Sequence, residues 1–273
     1  MEKIFKNQLE RTGTGYFDNY LLHALDRKNF EKCEEFGAYE FLQKKQEEGK
    51  VKNIGFSFHG TIKDLQTIVA AHHWDFAQIQ LNYLDWTNQK AKEQYDILTE
   101  AGIPVIIMEP VRGGKLADVS KDIEAMFKKA NPEKSVASWA IAFCASLPNV
   151  VTILSGMNSI EQLDDNIKTL TDFVPFTESE NMICFNAASI MNEKSIVPCT
   201  GCDYCADCPK GIKISTIFAY YNQCQNDECS EQESMNKYNT IPIENNASAC
   251  IQCGKCASHC PQGIEIPDLL HGK

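Results

Sequence analysis

Two short runs of cysteine carry the clearest chemistry in this 273-residue chain. The first is Cys199-Thr-Gly-Cys202-Asp-Tyr-Cys205-Ala-Asp-Cys208-Pro209, and the second is Cys250-Ile-Gln-Cys253-Gly-Lys-Cys256-Ala-Ser-His-Cys260-Pro261. Both continue alike, as Pro209-Lys-Gly-Ile-Lys-Ile214 and Pro261-Gln-Gly-Ile-Glu-Ile266, so they are two copies of one repeat. A [4Fe–4S] cubane takes one thiolate at each iron. A tight loop with two residues between successive cysteines presents three of them, and the cysteine before proline turns to a neighbouring cubane. This predicts two [4Fe–4S] clusters that exchange a ligand, one on Cys199, Cys202, Cys205 and Cys260, the other on Cys208, Cys250, Cys253 and Cys256. The fourth cysteine of each run is expected to start the following helix. The second copy has the spacing C-x2-C-x2-C-x3-C-P, while the first is one residue short before Cys208. Zinc held by four thiolates, a staple without redox chemistry, is the alternative.

Composition narrows the setting. The chain has 13 cysteines, and the Met1-Glu-Lys-Ile-Phe-Lys opening is too charged for a secretory signal. A cytoplasmic protein with reduced thiols is therefore expected, and disulfides are disfavoured. Cys144 reads as core, and Cys224 and Cys229 as thiols outside the two runs. A net charge of −11 with no Lys/Arg block argues against nucleic acid. No apolar run approaches membrane-spanning length.

The elements that must position these residues alternate along the first part of the chain. Apolar runs at 17–23, Asn53–Phe58, Phe76–Tyr83, Pro104–Val111 and Val150–Gly156 are rich in Ile, Val, Phe and Tyr, as strands buried on both faces should be. Helical stripes separate them: Ile62, Leu65, Ile68 and Val69; Ala91, Tyr95 and Leu98; Val136, Trp139, Ala140 and Phe143. Strand–helix alternation means a parallel α/β sheet, either doubly wound and open or part of an eight-stranded barrel. About five of the eight units of a (β/α)8 barrel are present, and the first three are expected to be missing. Such a remnant would expose strand edges through which copies could self-associate. Beyond about residue 175 the pattern changes. Thr177 and Glu180 have the spacing of a helix-opening capping box. The cysteine repeats follow, with residues 224–248 as an irregular excursion or short helix. The predicted division is 1–175, a partial barrel, and 176–273, a mostly helical ferredoxin-like dicluster domain.

Several of these segments resemble the aldo/keto reductase family: Tyr20-Leu-Leu-His23, Ile54-Gly-Phe-Ser57, Gln78-Ile-Gln-Leu-Asn82, Pro104-Val-Ile-Ile-Met-Glu-Pro110 and Gly156-Met-Asn-Ser-Ile-Glu-Gln-Leu-Asp-Asp-Asn166. Pro198-Cys-Thr-Gly-Cys202 is similar to the branch of that family with a C-terminal ferredoxin-type domain. The resemblance implies a TIM-type barrel with NAD(P)H across the C-terminal ends of its strands. It makes His23 the active-site histidine facing a small carbonyl substrate, and Ser57 and Gln78 the residues at the nicotinamide carboxamide. Met108 falls where many members stack an aromatic ring on the nicotinamide, and Phe58 where they carry asparagine. Gly156, Met157, Asn158, Gln162, Asp165 and Asn166 match the loop and helix start that hold the cofactor's phosphates and adenosine. Helix N-termini suit anions on independent grounds. No Lys or Arg occurs from Val151 to Ile167, which leaves NADH and NADPH both open. His59 is expected to line the same mouth as His23, and His72-His73 to close a helix.

The resemblance also implies what the chain lacks. The family's catalytic Asp, Tyr and Lys lie in the first three units, and Tyr16 and Lys6 are not positioned to replace them. Carbonyl reduction by this polypeptide alone is not expected. Three readings stay open: an oxidoreductase incomplete without those units, an electron-transfer module using the barrel remnant as scaffold and serving a redox partner, or a barrel stapled by structural clusters. Hydride carries two electrons and a cluster accepts one, so a nicotinamide-to-cluster relay wants a flavin between them. No flavin motif is visible.

Overall fold

A computed structural model describes residues 1–194, 197–225 and 230–272. Cys229 lies outside the described residues. Five parallel strands form one sheet: β1 (Phe17–Leu25), β2 (Val51–Phe58), β3 (Phe76–Gln80), β4 (Val105–Met108) and β5 (Val150–Ile153). Their spatial order is β1-β2-β3-β4-β5, each strand beside the next in sequence. A doubly wound sheet reverses its order at a switch point, so this monotonic order selects the barrel-type winding. Strands β3, β4 and β5 are shorter than their apolar runs suggest, though Leu81 and Leu154 just beyond β3 and β5 still donate to Met108 O and Ile107 O of β4.

Helices α1 (Glu2–Thr12), α2 (Arg27–Glu35), α3 (Ala38–Glu47), α4 (Ile62–Ala71), α5 (Asp85–Asn88) and α6 (Ala91–Glu100) accompany the first four strands. Then come α7 (Lys121–Ala130), α8 (Val136–Ala145), α9 (Ile160–Leu170) and α10 (Glu178–Lys194). The cysteine-rich part holds α11 (Ile214–Gln225), α12 (Glu231–Asn239), α13 (Lys255–Ser258) and α14 (Ile266–Leu270). Starts are set locally. Asp26 accepts from Asn29 N–H, and Thr61 forms a reciprocal capping box with Asp64. Thr177 does the same with Glu180, their two backbone–side-chain bonds being 2.9 and 3.3 Å.

Contacts divide the chain into two units, Met1–Val111 with Ala137–Asn181, and Arg112–Val136 with Met182–Lys273. In the first, the middle strands bury one whole face: Ile54, Phe56, Phe58, Ala77, Ile79, Val105 and Ile107 are all inaccessible or nearly so, while Gln78, Gln80 and Met108 on the other face are half-buried. Trp74 joins this core edge-on to Phe56, and its indole N–H donates to Ile68 O. The outer strands differ from the expectation of burial on both faces. Asp18, Asn19 and His23 of β1 are exposed, and Val151 of β5 is 62% exposed. Among the described residues each has a strand neighbour on one side only, which is why its outer positions meet solvent. Helix α9 buries no residue; Met157, Leu163, Ile167 and Leu170, with Ile141 and Ile153, border a cavity of about 360 Å3.

The second unit has its own apolar core of Val197, Ile212, Ile214, Ile217, Phe218, Ile241, Ile264 and Ile266. Among the described residues, no helix is long and apolar enough to cross a membrane.

Gly55 is the tightest point of the sheet. A Cβ there would lie 2.6 Å from the backbone oxygen of Phe76, its partner in register, and 2.6 Å from the Phe76 ring. Gly55→Ala is expected to cost about 1–3 kcal/mol through overpacking, read as a lower urea midpoint with an unchanged denaturant slope.

Candidate functional site

The two cysteine runs fold to the same backbone pattern. A left-handed residue sits between each of the first three cysteines, Gly201 and Asp203 in the first copy and Gln252 and Gly254 in the second. That conformation turns successive side chains inward from a short loop. It also aims a backbone amide at the leading sulfur: Gly201 N–H donates to Cys199 Sγ and Gln252 N–H to Cys250 Sγ, both at 3.4 Å. Such N–H···S bonds favour the thiolate a metal needs. After the fourth cysteine the copies match again. Gly211 N–H bonds Cys208 O at 2.8 Å, and Gly263 N–H bonds Cys260 O at 3.1 Å.

The fourth cysteine does not start a helix, contrary to the expectation from sequence. A glycine-containing turn intervenes, and the helices begin at Ile214 and Ile266. The unequal spacing has a local cause. The second copy inserts the short helix α13 around Cys256, whereas the first passes through a turn closed by Ala206 N–H on Asp203 O.

The turns carry each fourth thiol across to the other copy. Cys199, Cys202, Cys205 and Cys260 border one hollow, and Cys208, Cys250, Cys253 and Cys256 border a second. These are the same two sets that the repeat groups in sequence. Four thiols about each hollow supply the ligand count of a [4Fe–4S] cluster, and equally that of a four-thiolate zinc site.

Burial pushes three of these thiols up, Cys205 to about 11, with the nearby Cys199 adding to the effect. Cys256 rises chiefly by burial, with Cys208 and Cys250 contributing, and Cys199 by burial, with Cys202 and Cys260 contributing. The Gly201 amide and the Lys115 ammonium oppose the rise at Cys199. Each set thus includes a cysteine of the other copy as an electrostatic neighbour. A metal binding at such raised thiols has to displace their protons, which lowers its apparent affinity at neutral pH.

The mouth of the barrel part is built differently. His23 is exposed near the end of β1, and the next residue, Ala24, has φ 54, a strained value for a side chain with a Cβ. Two polar groups hold it. Ala24 N–H donates to Ser57 Oγ at 2.7 Å, and Asn29 Nδ2 donates to Ala24 O at 2.8 Å. Ser57 is 1% exposed, so its hydroxyl braces the β1 bulge that carries His23. His59, beyond β2, is pushed below the ordinary histidine range first by the surrounding protein and then by the charge of His23. It is accordingly neutral at neutral pH and sits in the same neighbourhood.

At the next two strand ends, Gln78 Nε2 lies 3.5 Å from Met108 Sδ. Glu109, with φ 58, is held through its carbonyl by Asn82 Nδ2 at 2.9 Å. Asn82 also donates to Asp85 Oδ2 at 2.7 Å, while Gln80 Nε2 donates to the same oxygen at 2.8 Å. This Gln80–Asn82–Asp85 group, with Asn82 and Asp85 buried, ties β3 to the end of β4. Asp85 and Asn29 were not singled out from sequence, and the only available signal was their capping distance from Asn82 and Asp26.

The 156–166 segment is a loop followed by α9. Its N-cap is Ser159, and Asn158 N–H is taken by Gln162 Oε1 at 2.9 Å. Asn166 Nδ2 donates to Ser155 Oγ at 3.0 Å, and Asp165 is half-buried. Nothing lies within 4 Å of where a Cβ of Gly156 would stand, leaving open space beside Met157. Tyr16 does meet a lysine, since Lys52 Nζ lies 3.3 Å from its hydroxyl and 2.6 Å from Asp18 Oδ1. This trio occupies the start of β1, about 23 Å of extended chain from His23. Its exposed charges are ordinary surface pairs at the end of the strands associated with stability.

With this geometry in hand, comparison with known proteins gives two family matches. The model of the Aldo/keto reductase family matches residues 1–186, and that of a 4Fe-4S binding domain matches residues 243–264. No curated protein matches the chain. Solved structures do. An aldo-keto reductase from Bacillus halodurans in its apo form is 21% identical, with TM-score 0.53, over 68% of this chain and 67% of that one. One from Klebsiella pneumoniae, in complex with NADPH, is 23% identical with TM-score 0.53, over 68% of this chain and 63% of that one. One from Brucella melitensis is 19% identical with TM-score 0.53, over 68% and 66%. At these identities the likeness establishes the fold. The matched part spans about two thirds or less of these relatives' lengths.

Ser57→Ala would leave the Ala24 N–H without its acceptor. A loss of about 1–3 kcal/mol is expected for a buried donor stripped of its partner, measured by chemical denaturation. The His23 ring resonances should shift as the bulge relaxes.

Proposed function

The chain belongs to the aldo/keto reductase family, and on that premise we propose that it is an oxidoreductase carrying two [4Fe–4S] clusters, NAD(P)H-linked when its barrel is complete. The observation that carries this reading is the pair of four-thiol hollows, each lined by three cysteines of one copy and one of the other. Three local ligands and one exchanged ligand are what a dicluster tail requires. The bound clusters would supply one-electron chemistry. The chain's own part is to hold them by thiolates, to donate amide hydrogen bonds to Cys199 and Cys250, and to close each hollow with the turn after the fourth cysteine.

On the barrel side, His23 would polarise a carbonyl at the mouth, with Gln78 and Met108 beside the nicotinamide and the 156–166 loop at its phosphates. The Klebsiella pneumoniae relative's complex with NADPH supports a nicotinamide as the partner. Open space beside Gly156 and the capped start of α9 suit its anionic part. A tyrosine with a lysine-lowered pKa is the usual proton donor to a reduced carbonyl. Among the described residues the Tyr16–Lys52 pair stands at the other end of the strands. Carbonyl reduction therefore needs groups beyond those gathered here. That same observation favours a second reading, in which the dicluster tail passes single electrons to a redox partner and the barrel serves as its scaffold.

The ligand exchange yields a direct test. Anaerobically reconstituted protein is expected to hold about eight iron atoms per chain. Cys260→Ser should disturb the same EPR signal as Cys199→Ser, and Cys208→Ser the same one as Cys253→Ser. If Cys260→Ser instead groups with Cys253→Ser, the crossing is wrong. Iron removal should also make residues 197–272 protease-sensitive while the barrel part resists. Helices of four and five residues, such as α13 and α14, do not persist without tertiary support.

A further inference from the structure

The turns after the fourth cysteine, Pro209-Lys210-Gly211 and Pro261-Gln262-Gly263, share one backbone form, with φ 61 at Gly211 and 63 at Gly263. Their surroundings differ. Apart from chain neighbours, no described atom lies within 4 Å of where a Cβ of Gly263 would stand. At Gly211 the same position is 2.9 Å from Asn245 Nδ2, so another segment closes directly on that turn. Asn245 holds it on both sides of the glycine. Its side-chain amide donates to Lys210 O at 3.2 Å, and its carbonyl accepts from Lys213 N–H at 2.9 Å. A carbonyl can only accept, so the Lys210 oxygen fixes which end of the Asn245 amide faces the turn. Gly211 N–H in turn bonds Cys208 O at 2.8 Å, which passes the hold on to the cysteine.

Asn245 belongs to the stretch that enters the second run at Cys250, and that stretch is itself fixed. Asn245 ends a 3-10 turn, Ile243–Asn245, in which its N–H donates to Pro242 O at 2.8 Å. A second such turn, Ala247–Ala249, follows at once, capped by the Asn246 side chain on Ser248 N–H. Ala247 N–H donates to Tyr238 OH at 3.2 Å, and Cys250 N–H donates to Ala247 O at 3.1 Å. Asn245 therefore ties the turn behind Cys208 to the chain in front of Cys250. These two cysteines come from different runs and border the same hollow. Cys250, Cys253 and Cys256 sit on one continuous loop and α13, and need no such tie. The place of Cys208 beside them depends on contacts between the two copies.

We propose that Asn245 is the positioning residue for an exchanged ligand: it holds Cys208 at the cluster of Cys250, Cys253 and Cys256, and so keeps the fourth iron there. The inference rests on the two-cluster reading above. A [4Fe–4S] cluster whose fourth thiolate is poorly held loses that iron on oxidation. One electron passes to the oxidant, ferrous iron departs, and the freed Cys208 thiolate takes up a proton. A [3Fe–4S] cluster with all four sulfides then remains on three thiolates. Asn245 touches neither iron nor sulfur in this account and acts through the Lys210–Gly211 turn.

The test uses anaerobically reconstituted full-length protein, treated with the one-electron oxidant ferricyanide and read by iron analysis and EPR. Cys208→Ala, which removes the ligand outright, supplies the reference three-iron signal. Asn245→Ala should give that same signal and lose at least about one iron in eight, with the signal of the Cys199 set unchanged. Asn245→Asp fills the same space but sets an acceptor against Lys210 O, and should lose the same iron. The Lys213 bond is made by backbone and survives either substitution, so both variants isolate the side chain. Variants that lose no more iron than the parent, or that lose it from the Cys199 set, overturn the proposal. So does Asn245→Asp matching the parent while Asn245→Ala does not, because packing rather than the hydrogen bond would then hold the turn. If Asn245→Ala does not fold, Asn245→Asp decides alone: iron loss with the Cys208→Ala signal supports the proposal, and parent-like retention refutes it. Parent protein holding well under about eight iron atoms before oxidation would instead refute the two-cluster reading itself.

Discussion

The C-terminal unit depends on one arrangement of its thiols: each hollow is bordered by three from one cysteine run and one from the other. The three follow a loop with left-handed residues at Gly201 and Asp203, or at Gln252 and Gly254, and the fourth reaches the hollow from the other copy. The unit's small core, centred on Ile212, Ile214, Ile264 and Ile266, lies directly after those fourth cysteines. The two equivalent isoleucine pairs follow the turns that carry Cys208 and Cys260. On the proposed reading, cluster assembly and folding of this unit are coupled, as is usual where ligands must lose protons to bind.

The barrel part shows a different economy. One face of its middle strands is apolar and buried, and the other carries the polar candidates Ser57 and Gln78. Its strand ends carry the backbone strain, at Ala24 and Glu109, and each strained residue is held by a side chain from a neighbouring strand or loop. Strain of this kind persists only where its surroundings over-determine it. Ser57 and Asn82 are such determinants here, whatever contacts they make with a bound cofactor. The outer strands β1 and β5 and the apolar side of α9 bury much less.

Pseudo-symmetry in the tail also exposes its own exceptions. Two turns with the same backbone are clamped by Asn245 and by Arg112, residues far apart in sequence and different in charge. Within a repeat, such differences are informative because the shared geometry cancels.

The sequence alone determined the sheet's five strands, the helical stripes, the Thr177 cap and the two thiol sets, because each depends on periodicity or on a short spacing that backbone geometry converts directly into position. It left the strand order undecided between two architectures, since both share the same alternation. Hydrogen-bonded pairing, a long-range property, settled that order. Tertiary structure alone revealed Ser57 as a brace for Ala24, the Gln80–Asn82–Asp85 group, and Arg112 beside Gln262, 150 residues away. A single polar side chain in a loop carries no periodic signal. Its partner, and so its role, exists only once distant segments are brought within reach.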